Sequence, residues 1–160
     1  MRLAHSLTPR TAAIDANAFV TYLDAHAAVD VKRKIGAAGY CMGGPLVVRT
    51  AAARADRIGA AATFHGGGLV TTDPDSPHLL IPQSRARYLI AIAANDDERD
   101  PNSKTVVREA LERSHHSAEV EVYAGTQHGW CPPDSMVYNR DQAEKAWARL
   151  LVLLNGAEVE

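Results

Sequence analysis

The chain has 160 residues, 46% of them hydrophobic and 22% charged, with a formal net charge of −2. That length suits one domain with a real hydrophobic core, and the charge balance excludes a basic nucleic-acid-binding face. Residues 1–6 lack the apolar stretch of a signal peptide, and no segment approaches a membrane span. Cys41 and Cys131 are too far apart in sequence to suggest a disulfide framework, so a cytoplasmic protein with reduced thiols is expected.

In chain order, Thr8-Pro9 reads as an N-cap followed by proline at the first helical position. The apolar spacing of Ile14, Phe19 and Leu23 then gives a helix over about 9–26. Residues 35–40 are small and apolar, like a buried parallel strand. An alanine-rich helix is expected over 45–54 and a second strand over 58–64. A long loop at 65–85 carries Gly66-Gly67-Gly68 and three prolines. A third strand covers 88–93, followed by a polar loop at 95–100. Pro101 opens a helix to about 114. A fourth strand covers 118–123, a loop runs over 125–139, and an amphipathic helix closes the chain at 141–154. Strands alternating with helices imply an α/β fold, a mostly parallel sheet with helices on both faces, in one domain over 1–160.

The most informative motif is Gly39-Tyr40-Cys41-Met42-Gly43, at the junction of the first strand and the helix after it. It has the form of a nucleophile elbow with cysteine in place of serine, a sharp turn flanked by glycines because side chains there would collide. The sulfur would lie at a helix N-terminus, and the Met42 N–H would point where an oxyanion can accept it. In parallel sheets chemistry gathers at the carboxyl ends of the strands. Asp96 and Asp97 follow the third strand and His128 follows the fourth. Nucleophile, acid and histidine thus occur in the chain order of an α/β-hydrolase triad.

Other features are weaker. His65-Gly66-Gly67-Gly68 resembles a lipase oxyanion run but follows the nucleophile instead of preceding it, so it reads as a tight turn, with His65 a candidate for the substrate pocket. Trp130 is a second pocket candidate, beside Tyr138. Cys41, Cys131, His65 and His128 lack metal-site spacing, and no metal is expected.

The elbow with Gly44, the stretch Asn95-Asp96-Asp97 with Pro101, and Tyr123-Ala124-Gly125-Thr126-Gln127-His128-Gly129-Trp130 together resemble the dienelactone hydrolase family, a cysteine branch of the α/β-hydrolases, over nearly the whole chain. The resemblance implies Cys41 as nucleophile and His128 as base. It also implies an acid four residues before the helix-opening proline, which selects Asp97 over Asp96. It implies hydrolysis of small carboxylic esters or lactones through an acyl-thiol intermediate, with no cofactor. The family's substrate-binding arginine shortly after the histidine has no counterpart in Trp130-Cys131-Pro132-Pro133, which favours a neutral or less charged ester or lactone over dienelactone itself. Against the family pattern the chain is expected to be N-terminally truncated, without the strands that precede its first helix. The oxyanion hole would then hold the Met42 N–H alone, and one missing donor costs about 10²–10³ in rate. The strand at Ile35–Tyr40 would become an exposed sheet edge, and such edges pair with something. A homodimer or a partner chain is the expected cover. Two alternatives to a hydrolase are a catalytically impaired remnant that binds partners through that edge, and a thiol switch between Cys41 and Cys131.

Overall fold

The structure is a computed structural model and describes residues 6–156. Helix α1 (Pro9–Ala25) starts at Thr8, whose hydroxyl accepts the Thr11 N–H while the Thr11 side chain accepts the Thr8 N–H. This reciprocal cap satisfies two amide donors that a helix start otherwise leaves open. Strand β1 (Ile35–Tyr40) leads into α2 (Gly43–Ala53), then β2 (Ile58–Phe64), a 3-10 segment (Pro77–Gln83) and β3 (Arg87–Ala93). Two helices follow, α3 (Ala94–Arg99) and α4 (Ser103–Arg113), before β4 (Ala118–Tyr123) and α5 (Arg140–Gly156). The four strands form one parallel sheet in the order β1-β2-β3-β4.

Alternation along the strands, reset once where the β1–β2 register shifts between the Ile35–Ile58 and Gly36–Ala60 pairs, divides the core into two layers. Ile58 and Ala61 of β2 and Tyr88 and Ile90 of β3 face Val20 of α1, Val47, Val48 and Ala51 of α2, and Val107 and Leu111 of α4. Ala60, Ala62, Phe64, Leu89 and Ala91 face the other way, toward Ala146, Leu150 and Leu153 of α5 and the side chains of Tyr123 and Trp130. Each fully buried Leu, Ile or Phe contributes about 1.5–3 kcal/mol from burial. The alanines of β2 contribute little area but let helices approach the sheet closely.

Outside this core, a polar clamp fixes α1. Asp24 accepts hydrogen bonds from Arg57 Nε at 2.8 Å and from Arg54 Nη2 at 3.3 Å, and Arg57 Nη1 donates to the Arg33 carbonyl at 2.6 Å. Both guanidinium groups are mostly shielded, so the clamp ties α1 to the turn between α2 and β2 in a partly desolvated setting.

The sequence-based elements are recovered in type and order, with two differences. The expected loop at 95–100 is the short helix α3, and the loop at 65–85 contains the 3-10 segment. Asp96 and Asp97 occupy the first turn of α3, where carboxylates favour the helix dipole. This local preference organises a stretch whose polarity reads as loop. Among the described residues, no helix is long and apolar enough to cross a membrane.

Candidate active site

The junction of β1 and α2 is bent as the elbow motif requires. Cys41 has φ +52°, in the left-handed region that costs a non-glycine residue of order 1–3 kcal/mol. The Cys41 N–H donates to the Phe64 carbonyl at 3.0 Å, and the Gly44 N–H donates to the Cys41 carbonyl at 3.0 Å, so the turn is held from both sides. Gly39 is sterically required: a Cβ there would stand 2.3 Å from the Gly43 carbonyl oxygen. Gly43 is not, since a Cβ would meet nothing within 4 Å. The second tight position is Gly44, where a Cβ would lie 2.8 Å from the Gly66 Cα. The glycine pair that permits the turn is therefore Gly39 and Gly44, a correction to the flanking pair read from the motif. Met42 is the N-cap of α2, and no side chain caps that end.

His128 lies on the loop after β4. Its Nε2 is 3.1 Å from the Cys41 Sγ, and its Nδ1 is 2.7 Å from Asp96 Oδ2. In the neutral pair the thiol donates to Nε2 and Nδ1–H donates to the carboxylate. Cys41 is exposed, and the His128 side chain is 34% exposed, so the linked groups open to solvent on one side.

The acid that reaches His128 is Asp96, whereas the sequence selected Asp97. Asp97 turns away and accepts a hydrogen bond from Lys104 Nζ of α4 at 2.6 Å. The reason is helical geometry: successive residues on α3 diverge by about 100° around the axis, so adjacent carboxylates face different partners. The counting rule also failed at its landmark, because Pro101 lies in a turn and α4 begins at Ser103. Arg99 lies 3.7 Å from the other oxygen of Asp96, one helical turn on, and is mostly exposed.

Three residues to which the sequence reading gave no role build the site. Asn95 Oδ1 accepts the His128 backbone N–H at 2.9 Å. Thr126 Oγ1 accepts the Ala94 N–H at 3.1 Å and donates to the Tyr123 carbonyl at 2.7 Å, joining the start of α3 to the end of β4. Lys104 holds Asp97. Position alone could have flagged Asn95 and Thr126, each close to a candidate triad residue in sequence.

His65 and Trp130, expected in the substrate pocket, are both buried, at 3% and 0% exposure. They stand behind His128, and neither borders the two clefts described next. His65 has φ +42° and meets the rings of His128 and Trp130 edge-on, with centroids 4.9 and 5.2 Å away. Burial holds its imidazole down at about 4, and the neighbouring His128 adds to that effect. Two clefts do open near the site. One of about 220 Å³ is bordered by Gly66, Gly67, Gly68, Asp96, Asp97 and Lys104. Another of about 220 Å³ is bordered by Tyr40, Phe64, Cys131, Tyr138 and Trp147. Cys131 is a free thiol, and burial pushes it up to about 12, far from ready ionisation. Among the described residues, no group of three or more His, Cys, Asp or Glu side chains is placed to hold a metal ion.

The sequence pattern of the Dienelactone hydrolase family matches residues 1–157. The chain belongs to that family. A curated relative from Bradyrhizobium sp, named "Probable 2-oxo-3-(5-oxofuran-2-ylidene)propanoate lactonase", is 28% identical over 153 residues, covering 93% of this chain and 60% of the relative. A solved structure from Klebsiella pneumoniae subsp. pneumoniae MGH 78578, described as "Putative Dienelactone Hydrolase", superposes with a TM-score of 0.81 at 20% identity over 94% of this chain and 63% of that one. The "Dienelactone Hydrolase-like Promiscuous Phospotriesterase P91 from Metagenomic Libraries" superposes with a TM-score of 0.75 at 20% identity, over 92% of this chain and 62% of that one. The parallel sheet with helices on both faces is thus the α/β-hydrolase-like fold of the family. The chain spans under two thirds of the length of these relatives.

Proposed function

We propose that this chain hydrolyses small carboxylic esters or lactones, with Cys41 as nucleophile, His128 as general base and acid, and Asp96 as the carboxylate that orients His128. The observation that carries the proposal is the linear array Cys41 Sγ, His128 Nε2, His128 Nδ1 and Asp96 Oδ2, with gaps of 3.1 and 2.7 Å, on an elbow strained at the nucleophile. A nucleophile within reach of a base that is itself oriented by a third group is the signature of covalent acyl transfer. Membership of a hydrolase family and the lactonase name of the Bradyrhizobium relative support the same reaction class.

In the first step the Cys41 thiol proton passes to His128 Nε2 as sulfur attacks the carbonyl carbon. The carbonyl π electrons move to oxygen, which the Met42 N–H stabilises at the N-terminus of α2. Collapse of the tetrahedral adduct breaks the bond to the leaving oxygen, which takes the proton from His128. The acyl-thioester remains. Water then gives a proton to His128 as its oxygen attacks the thioester carbon; collapse of this second adduct breaks the C–S bond, the sulfur takes the proton back from His128, and the acid leaves. Through both steps Asp96 stabilises the imidazolium and fixes the tautomer in which Nε2 is free to accept. No cation follows His128 as far as Pro133, so the proposed substrate is a neutral or weakly charged ester or lactone. The test is hydrolysis of p-nitrophenyl acetate by the parent and by a folded Cys41→Ala variant; undiminished turnover in the variant would defeat the proposal.

A second reading, a partner-binding role for the sheet edge, is favoured by one observation. Among the described residues, strand β1 pairs only with β2, and Gly36, Ala38 and Tyr40 on one of its faces are exposed. We propose that a second copy of this chain, or a partner chain, covers this edge. Folded protein that runs as a monomer at all accessible concentrations would count against the second copy.

A further inference from the structure

The triad reading leaves His65 unused, although its ring lies against that of His128, with centroids 4.9 Å apart. Its placement is unusual in three respects. A histidine takes left-handed backbone at φ +42°, at the end of β2. Its ring is buried with 3% exposure. Neither Nδ1 nor Nε2 has a hydrogen-bond partner. The contacts that hold the ring are those of its faces and edges. Those faces and edges are taken by three other rings: His128 at 4.9 Å, Trp130 at 5.2 Å and Tyr40 at 5.9 Å between centroids. Trp130 is in turn stacked on Tyr123 at 5.2 Å, and Tyr40 on Phe64 at 4.8 Å. The backing is thus anchored in three strands.

His128 needs such backing. It sits on a loop beside Gly129, which has φ +96°. The contacts of Nδ1 with Asp96 and of Nε2 with Cys41 fix two points of the ring and leave its plane free to turn about the line that joins them. A wall against one side of the ring removes that freedom. We propose that His65 is a positioning residue for His128, a buried ring braced by Trp130 and Tyr40 that sets the plane of the His128 imidazole so that Nε2 stays aimed at the Cys41 sulfur while Nδ1–H stays on Asp96. This rests on the triad reading for its meaning in catalysis, but the ring contact is independent of whether Cys41 is a nucleophile. Small misplacements of a reacting group, of about 1 Å, can cost 10²-fold in rate.

The test measures the imidazole nitrogen resonances of His128 in the full chain, beside kcat and KM for p-nitrophenyl acetate. In the parent, His128 shows one tautomer, protonated at Nδ1. In His65→Ala the two nitrogens move toward averaged values, and kcat falls at least about tenfold while KM changes less than about twofold. His65→Phe restores a ring, and with it the single tautomer and kcat to within about threefold of the parent. If His65→Ala does not fold, His65→Leu replaces it, with the same expected averaging because it fills space without a planar ring. Unchanged His128 resonances in the ringless variant would overturn the proposal, even if its thermal stability fell. A Phe variant as disturbed as the Ala variant would overturn it as well. The resonance readout needs no turnover, so failure of the triad reading, seen as undiminished hydrolysis by Cys41→Ala, is distinguishable from failure of this one.

Discussion

At the scale of the residue, the sharpest consequence of the structure is the division of labour between two adjacent aspartates. Asp96 meets His128 and Asp97 meets Lys104, so Asp96→Asn removes the charge that supports the imidazolium. That substitution is expected to lower kcat/KM by roughly 10²–10⁴, whereas Asp97→Asn, which disturbs only the tie to α4, stays within about threefold. Kinetics of the two purified variants side by side check this, and equal losses would remove the assignment. His65 gives a second prediction at this scale. Its imidazole is held near 4 by burial, against an ordinary value of 6.5. The unfolded chain therefore takes up a proton below 6.5 that the folded chain refuses. The resulting stability is fully present above 6.5, declines as pH falls toward 4, and is flat below it. Urea melts between pH 7 and 4 are expected to show this slope in the parent and a shallower one in His65→Phe. Identical slopes would show that His65 titrates normally.

The element that decides the site is the elbow between β1 and α2. It works because two glycines clear the way, Gly39 under the Gly43 carbonyl and Gly44 against Gly66. Gly39→Ala would force a Cβ to 2.3 Å from a backbone oxygen that cannot swing aside. It is expected to destabilise the fold by at least about 2 kcal/mol, read as a fall in urea midpoint. Gly43→Ala should fall within about 0.5 kcal/mol of the parent, and a reversed order would refute the steric account. Sequence periodicity located this element, because a run of small apolar residues next to a glycine-flanked cysteine is readable without any tertiary knowledge. It did not reveal α3. Asn-Asp-Asp-Glu-Arg-Asp has no apolar face to mark a helix, and its helicity comes from the end of β3 and from carboxylates at the helix start. Misreading that stretch as loop also misassigned the acid, since only a helix makes neighbouring residues point about 100° apart.

On the scale of the whole molecule, the parallel sheet, its two-layer core and the gathering of Cys41, the Asp96-Asp97 pair and His128 at one sheet end follow from the alternation of strands and helices, which the sequence displays openly. The contacts that position the site do not. Asn95, Thr126 and the ring stack through Tyr123, Trp130 and His65 join segments distant in the chain; Asn95 and Thr126 lie in quoted stretches, but their partners are set only by the tertiary fold. The β1 edge is different: the family resemblance implies it, and β1 is terminal in the sheet. Its proposed pairing predicts that Ala38→Lys, which puts a charge on the exposed face of β1, shifts a self-associated parent toward monomer in light scattering after gel filtration. An unchanged mass would place the association elsewhere.

The central claim is that Cys41 carries the acyl group during turnover. The most direct measurement is mass spectrometry of the chain quenched while it hydrolyses p-nitrophenyl acetate. The account predicts one acetyl group on the peptide containing Cys41, none on the peptide containing Cys131, and disappearance of the adduct once substrate is exhausted. Continued hydrolysis with Cys41 unmodified throughout would contradict it.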